Sequence, residues 1–261
     1  MSTRILAIVN QKGGVGKTTT TINLAAALAK RGQSVLMVDL DPQGNASTGL
    51  GVAKNKGGEN LFDVFVEGTP LEDIIQPTSV EGVDIAASHM DMAGVEIEIS
   101  DQADRAVRLK RAFEGLKKSY DYILIDCPPS LNMLTINALS AARSVLVPLQ
   151  CEFFALEGLS QLLKTVEMAK ANINDKLTID GVMLTMYDKR NRLSAQVAAD
   201  VRKHLGRAVF KTMIPRNVRI AEAPSFGRPV ISYDPYCAGS KAYMQLADEM
   251  LMRHGKQKKT K

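Results

Sequence analysis

Short apolar runs rich in β-branched residues recur along the chain and alternate with stretches whose apolar positions fall at helical spacing. Ile5–Val9 reads as a buried strand leading into a glycine-rich loop, and Thr18–Arg31 as a helix closed by Gly32. Ser34–Asp39 is a second buried strand and Val83–Ala87 a weaker third. Arg105–Lys118 carries Leu109, Phe113 and Leu116 on one helical face, and Tyr122–Asp126 and Ser144–Leu149 read as strands. Ser160–Ala171 is helical, Ile179–Thr185 a strand, Ser194–Leu205 a helix and Val209–Ile214 the last strand. In the final helix, Ser240–Met252, the positions Tyr243, Leu246, Ala247, Met250 and Leu251 share a face, read as core contacts.

Strands alternating with helices predict an α/β fold, a mostly parallel sheet covered by helices on both faces. In such sheets ligands bind beyond the carboxyl ends of the strands. No repeat is present, and Gly49–Gly58, rich in glycine and lysine, reads as an exposed loop. With 261 residues the expectation is one domain over residues 1–253, followed by a basic, disordered tail over 254–261.

Composition narrows the classes. The chain is 45% apolar and 23% charged, ordinary for a globular protein, and no apolar run reaches the length of a membrane span. The apolar stretch after Arg4 stops at Asn10 and Gln11, which does not suit a secretory signal and implies a cytoplasmic protein. Cys127, Cys151 and Cys237 are odd in number and scattered, as are His89, His204 and His254, which argues against a disulfide framework or a zinc site. The net charge of +5 is uneven: residues 1–185 hold 17 Lys and Arg against 22 Asp and Glu, whereas residues 186–261 hold 16 against 6. An anionic partner is therefore expected near the C-terminal third, nucleic acid before membrane.

The sharpest chemical signal is Lys12-Gly13-Gly14-Val15-Gly16-Lys17-Thr18-Thr19, set between a predicted strand and helix. Glycines let backbone N–H groups converge on phosphate oxygens, and the helix that follows adds its positive end. Lys17 is placed to reach the β- and γ-phosphates of ATP and Thr18 to bind Mg²⁺. Gln11 stands where the ordinary P-loop has glycine, so this is a lysine-bearing variant of that motif. Asp41 and Asp126 follow strands and complete a candidate metal set with Thr18; Asp126 suits the cation, and Asp41 suits orienting the attacking water. Asp39 reads as a strand-end residue with a structural hydrogen bond.

Four segments carry a family resemblance: K-G-G-V-G-K-T-T at Lys12–Thr19, D-L-D-P-Q-G-N at Asp39–Asn45, D-C-P-P-S at Asp126–Ser130, and I-P-R-N-V-R-I-A-E-A-P-S at Ile214–Ser225. With Tyr233-Asp234-Pro235 they closely resemble the ParA/Soj family of partitioning ATPases. The resemblance implies that Lys12 reaches across an ATP-bound sandwich dimer to the partner's nucleotide. It implies that Asp41 is the hydrolytic aspartate, that Pro215 and Asn217 line the adenine, and that Arg190 meets DNA. It further implies a nucleoid-associated protein whose hydrolysis is stimulated by a ParB-type protein. Because the chain starts at its first strand, operator-specific DNA binding of the kind seen in forms with an N-terminal helix-turn-helix is not expected.

Outside the tail, bases gather at Lys189, Arg190, Arg192, Arg202, Lys203, Arg207, Arg216, Arg219 and Arg228, suiting non-specific double-stranded DNA. The alternative is a MinD-like, membrane-associated positioning ATPase, which needs a C-terminal amphipathic helix with a free apolar face. A metabolic ATPase relative would need bridging cysteines or a substrate pocket that the sequence does not display.

Overall fold

The computed structural model describes residues 3–52 and 59–257. Residues 53–58 of the expected glycine and lysine loop, and 258–261 of the expected tail, lie outside the described residues. The strands are β1 (Arg4–Ile8), β2 (Val35–Asp39), β3 (Ile75–Pro77), β4 (Val83–Ala86), β5 (Tyr122–Asp126), β6 (Ser144–Gln150), β7 (Thr178–Tyr187) and β8 (Val209–Pro215). They form one sheet in the order β3-β4-β2-β5-β1-β6-β7-β8. Every neighbouring pair is parallel except β3 with β4, so the expected parallel α/β sheet is present with one antiparallel edge strand.

Both faces of the sheet are covered, and this explains why the strands read as unbroken apolar runs rather than alternating ones. One face sends Ala7, Leu36, Val38, Ile123, Ile125, Val145 and Val147 against the helices Met133–Ala141, Ala155–Asn172 and Arg192–Leu205. The other sends Leu6, Ile8, Val35, Met37, Leu124 and Leu146 against Lys17–Ala29 and Ala238–Gln257. No helix among the described residues is long and apolar enough to cross a membrane.

Most predicted elements shift by only a residue or two. The helix expected over Arg105–Lys118 is confined to Arg108–Glu114, because its chain is held by the Asn137 side chain, which accepts from the Leu109 N–H and donates to the Arg105 carbonyl. Met133–Ala141 and the short Leu61–Val66 helix escape the pattern; Met133–Ala141 buries six of its nine residues, so no polar face marks it.

The C-terminal boundary is different from the expected one. The last helix extends from Ala238 to Gln257, and His254 belongs to the core, with only 4% of its surface exposed. Its Nδ1 lies 2.8 Å from the Tyr122 hydroxyl and its Nε2 2.7 Å from Asp180, and the two rings stack. A single neutral tautomer satisfies both contacts: Nε2–H donates to Asp180 and Nδ1 accepts from Tyr122. His254 follows Met250 by four residues and so continues the buried stripe of Tyr243, Leu246, Ala247 and Met250. A polar residue on an apolar stripe hides that continuity from the sequence.

Replacing His254 with alanine should strand a buried hydroxyl and a buried carboxylate. The expected cost is about 2–4 kcal/mol, read as a fall in Tm of roughly 5–10 °C in a thermal melt.

Candidate functional site

The carboxyl end of β1 runs directly into the glycine-rich loop. Gly14 and Gly16 hold φ 73 and φ 91, the left-handed region that a residue with a Cβ resists. Gly16 is also the N-cap of the Lys17–Ala29 helix and supplies no side chain to its first-turn N–H groups. Those donors are left for an external anion.

The loop is held from two sides. Asn10 accepts the Lys12 N–H at 3.0 Å and donates to the Pro148 carbonyl on β6 at 2.7 Å. Thr185 on β7 donates its hydroxyl to the Val15 carbonyl at 2.9 Å. Gln11, the departure from the ordinary motif, is tethered through its side chain to the Thr165 hydroxyl at 3.0 Å. Lys17 turns back over the loop and donates to the Lys12 carbonyl at 3.2 Å. Burial lowers its pKa, and the charges of Asp126, Cys127 and Asp41 work against that shift. Lys17 thus feels the charges of both Asp41 and Asp126.

Asp39 and Asp126 are direct register partners at the ends of β2 and β5. Both are fully buried, yet they are handled in opposite ways. Asp39 accepts from the Ser47 N–H at 2.9 Å and hydroxyl at 2.7 Å and from the Asp41 N–H at 3.3 Å. It is the structural strand-end residue that its sequence position implied. Asp126 accepts from the Thr21 hydroxyl at 3.1 Å, while its Oδ2 is sealed from solvent with no hydrogen-bond partner. Burial raises the Asp126 pKa from its ordinary 3.8 to about 8; the Asp39 charge adds to the shift, and the Thr18 and Thr21 hydroxyls oppose it.

An orphaned carboxylate oxygen beside Thr18, next to an anion-binding loop, fits a divalent cation. Among the described residues no three Asp, Glu, His or Cys side chains converge into a complete cage. That suits Mg²⁺, which keeps waters and substrate phosphates as most of its ligands. Asp41 is half-buried, and its Oδ1 accepts the Gln43 N–H at 3.0 Å.

Lys12 is held in the loop by its backbone, but its side chain has another partner. Its ammonium is half-exposed and pairs with Glu152, just past β6. Pro215 ends β8 opposite Tyr187 of β7, and Asn217 caps the following short helix, its Oδ1 accepting the Arg219 N–H at 2.9 Å. The basic residues do not form one cluster. Arg190, Arg192, Arg216 and Arg219 lie at the carboxyl end of the sheet, with Arg190 paired to Asp188, and Arg219 to Glu222 and Asp234. Arg202 and Lys203 sit in the last turn of the Arg192–Leu205 helix, about 15 Å away at 1.5 Å per residue. There Arg202 joins Arg207, Lys211 and Arg253 around an open groove at the amino end of β8.

Sequence reasoning missed Asn10, Thr185, Thr21 and Glu152. Each is an unremarkable polar residue until the sheet order sets it against the loop.

A parallel sheet with a glycine loop between β1 and the first helix, and an orphaned aspartate at the end of the adjacent strand, defines a P-loop nucleoside triphosphatase. A family model described as an AAA domain matches residues 3–179. The chain is 55% identical over 252 residues to the chromosome partitioning protein ParA of Caulobacter vibrioides, covering 96% of this chain and 94% of that one. It is 48% identical over 250 residues to the chromosome-partitioning ATPase Soj of Thermus thermophilus, covering 96% of each. Among solved structures, a cobyrinic acid a,c-diamide synthase from Mycobacterium smegmatis with bound ATP analogue and magnesium matches with a TM-score of 0.84 and 37% identity, over 97% of this chain and 96% of that one. This chain belongs to the ParA/Soj family of partitioning ATPases, and it is an ATPase.

An acid whose pKa is raised on folding binds its proton more tightly in the folded state than in the unfolded one. Asp126 therefore costs stability progressively as pH rises from about 4 toward 8. Asp126→Asn is expected to raise the Tm of the nucleotide-free protein by about 2–4 °C at pH 7.5, with a smaller gain at pH 5, in melts across that range.

Proposed function

We propose that this chain is an ATP-driven partitioning switch. ATP binding assembles a sandwich dimer that holds double-stranded DNA without regard to sequence, and hydrolysis releases it. The observation that carries this reading is the division of labour between two lysines. Lys17 donates back to the phosphate loop of its own chain, whereas the Lys12 ammonium is half-exposed and pairs with Glu152. A second phosphate-seeking cation with no role in its own pocket suits a neighbour's nucleotide.

Within one protomer, the N–H groups of Gly13, Gly14, Val15 and Gly16 and of the first helical turn, Lys17 to Thr19, take the phosphates. Pro215 and Asn217 border the adenine. Thr18 and Asp126 would hold Mg²⁺ with Asp41 as the third candidate, and the ion would neutralise charge on the phosphates. Asp41 orients the attacking water from the rim of the loop, where it is partly open to solvent. Hydrolysis is slow until a ParB-type partner stimulates it.

The basic residues at the carboxyl end, Arg190, Arg192, Arg216 and Arg219, supply phosphate contacts, and the helix carrying Arg202 and Lys203 extends them. Dimerisation doubles such contacts, and affinity rises steeply with the number of counterions released. Phosphate contacts position without reading bases, so no sequence preference is expected. This makes the protein cytoplasmic and nucleoid-associated. The buried stripe of the last helix, Tyr243 to Met250, is spent in the core and is not available for lipid.

Lys17→Ala should lower ATP turnover by about 100-fold or more in a phosphate-release assay. Asp41→Ala should bind ATP, fail to hydrolyse it and accumulate as a dimer in light scattering; monomer at saturating ATP would overturn the sandwich. Arg190→Ala should weaken DNA binding at least several-fold and flatten its salt dependence by about one ion, leaving ATP binding intact. Equal DNA affinity with and without ATP, or binding to anionic liposomes in its place, would refute the reading.

A further inference from the structure

The end of β7 holds a backbone conformation that, among the described residues, is otherwise left to glycine. Met186 is held at φ 51, the one residue other than glycine with positive φ. A side chain with a Cβ disfavours this region, and it persists only where the surroundings enforce it. The pairing of β7 with β8 shifts register on the same stretch, between Leu184 and Tyr187.

What flanks Met186 gives the strain a role. On one side, the buried Thr185 fixes the Val15 carbonyl at 2.9 Å. The C=O and N–H of a trans peptide point in opposite directions. A Val15 carbonyl turned toward β7 therefore aims the Gly16 N–H to the other side of the loop, where a phosphate oxygen would pull on the same peptide plane. On the other side, the Tyr187 carbonyl accepts the Arg216 N–H at 3.0 Å. Asp188 then closes a turn: it accepts the Arg190 N–H at 2.9 Å and its guanidinium at 3.2 and 3.1 Å, and its carbonyl accepts the Asn191 N–H at 3.1 Å. One residue off its preferred geometry thus separates two stiff assemblies, the phosphate loop and the basic turn.

We propose that the Thr185–Met186 step carries the state of the phosphate loop to the turn at residues 187–192. Thr185 is a positioning residue for the loop, and Met186 is the hinge. A residue already lifted from its minimum needs only a small push at its neighbour to change basin, and packed elements convert such pushes into discrete moves. The Asp188–Arg190 turn moves as a unit because its own hydrogen bonds close it. The consequence for DNA rests on the role of Arg190 proposed above; the hinge itself does not.

The test is amide hydrogen exchange with and without Mg²⁺ and ADP, which fills the loop, on wild type, Thr185→Val and Met186→Gly. In wild type, nucleotide should slow exchange at residues 11–20 and also at 187–192, the latter by about fivefold or more. Thr185→Val removes one donor at constant shape, and ADP affinity should fall about five- to tenfold. Met186→Gly adopts φ 51 without strain, which offsets part of the cost of glycine and of the lost half-buried side chain, and a thermal melt checks that it folds. It should keep ADP affinity and the response at 11–20, yet lose the response at 187–192. With ATP, its preference for DNA over the nucleotide-free state should also shrink while its dimer persists. Amides 187–192 that ignore nucleotide in wild type, or that respond as fully in Met186→Gly, would overturn the hinge. A wild type with equal DNA affinity in both states counts against the partitioning reading instead, and the exchange data still decide the hinge.

Discussion

Two buried carboxylates lie side by side at the carboxyl ends of β2 and β5, and the site is organised around how each is handled. Ser47 wraps both its N–H and its hydroxyl around Asp39, which ties the turn after β2 to the sheet. Asp126 receives one hydroxyl and keeps one oxygen without a partner. A buried acceptor in that condition is costly unless a proton or a cation completes it. On the reading proposed above, a metal-bound nucleotide on the neighbouring phosphate loop would complete that carboxylate.

The sheet has two functionally different ends. At the carboxyl end the loop is pinned by Asn10 through β6 and by Thr185 through β7. At the amino end the ties are to the last helix. Tyr122, Asp180, His254 and Arg4 lock the last helix to the strand starts through a nearly closed set of hydrogen bonds. The rigid end anchors the strands whose other ends carry the chemistry.

Charge follows the same geography. The acids that shape the nucleotide site come from the first half of the chain. The bases come from the second half: Arg190, Arg192, Arg216 and Arg219 at the carboxyl ends of β7 and β8, and Arg202 and Lys203 in the last turn of the 14-residue helix that Arg192 begins. An extended polyanion lying along that helix could meet both groups, whereas a compact anion could meet only one.

Much of this was legible in the sequence, because the relevant residues are contiguous. The strand–loop–helix run from Ile5 to Arg31 states its chemistry locally: glycines where the backbone must bend, a lysine and a hydroxyl at its end. Apolar runs of strand length separated by helical spacing are enough to set the parallel α/β architecture, since only a sheet covered on both faces buries them. Tyr122–Asp126 could be placed as a strand with an acid at its tip for the same reason. What the sequence could not carry is pairing across distance. That Asp39 is satisfied and Asp126 is not depends on Ser47 and Thr21 meeting them in space. That Lys12 finds Glu152, Val15 finds Thr185, and His254 is core and not tail depends on which strands are neighbours. These contacts join residues 140, 170 and 132 positions apart. Side-chain identity limits what each residue could bond, but the order β5-β1-β6-β7 decides what it does bond, because only that order brings the partners within reach.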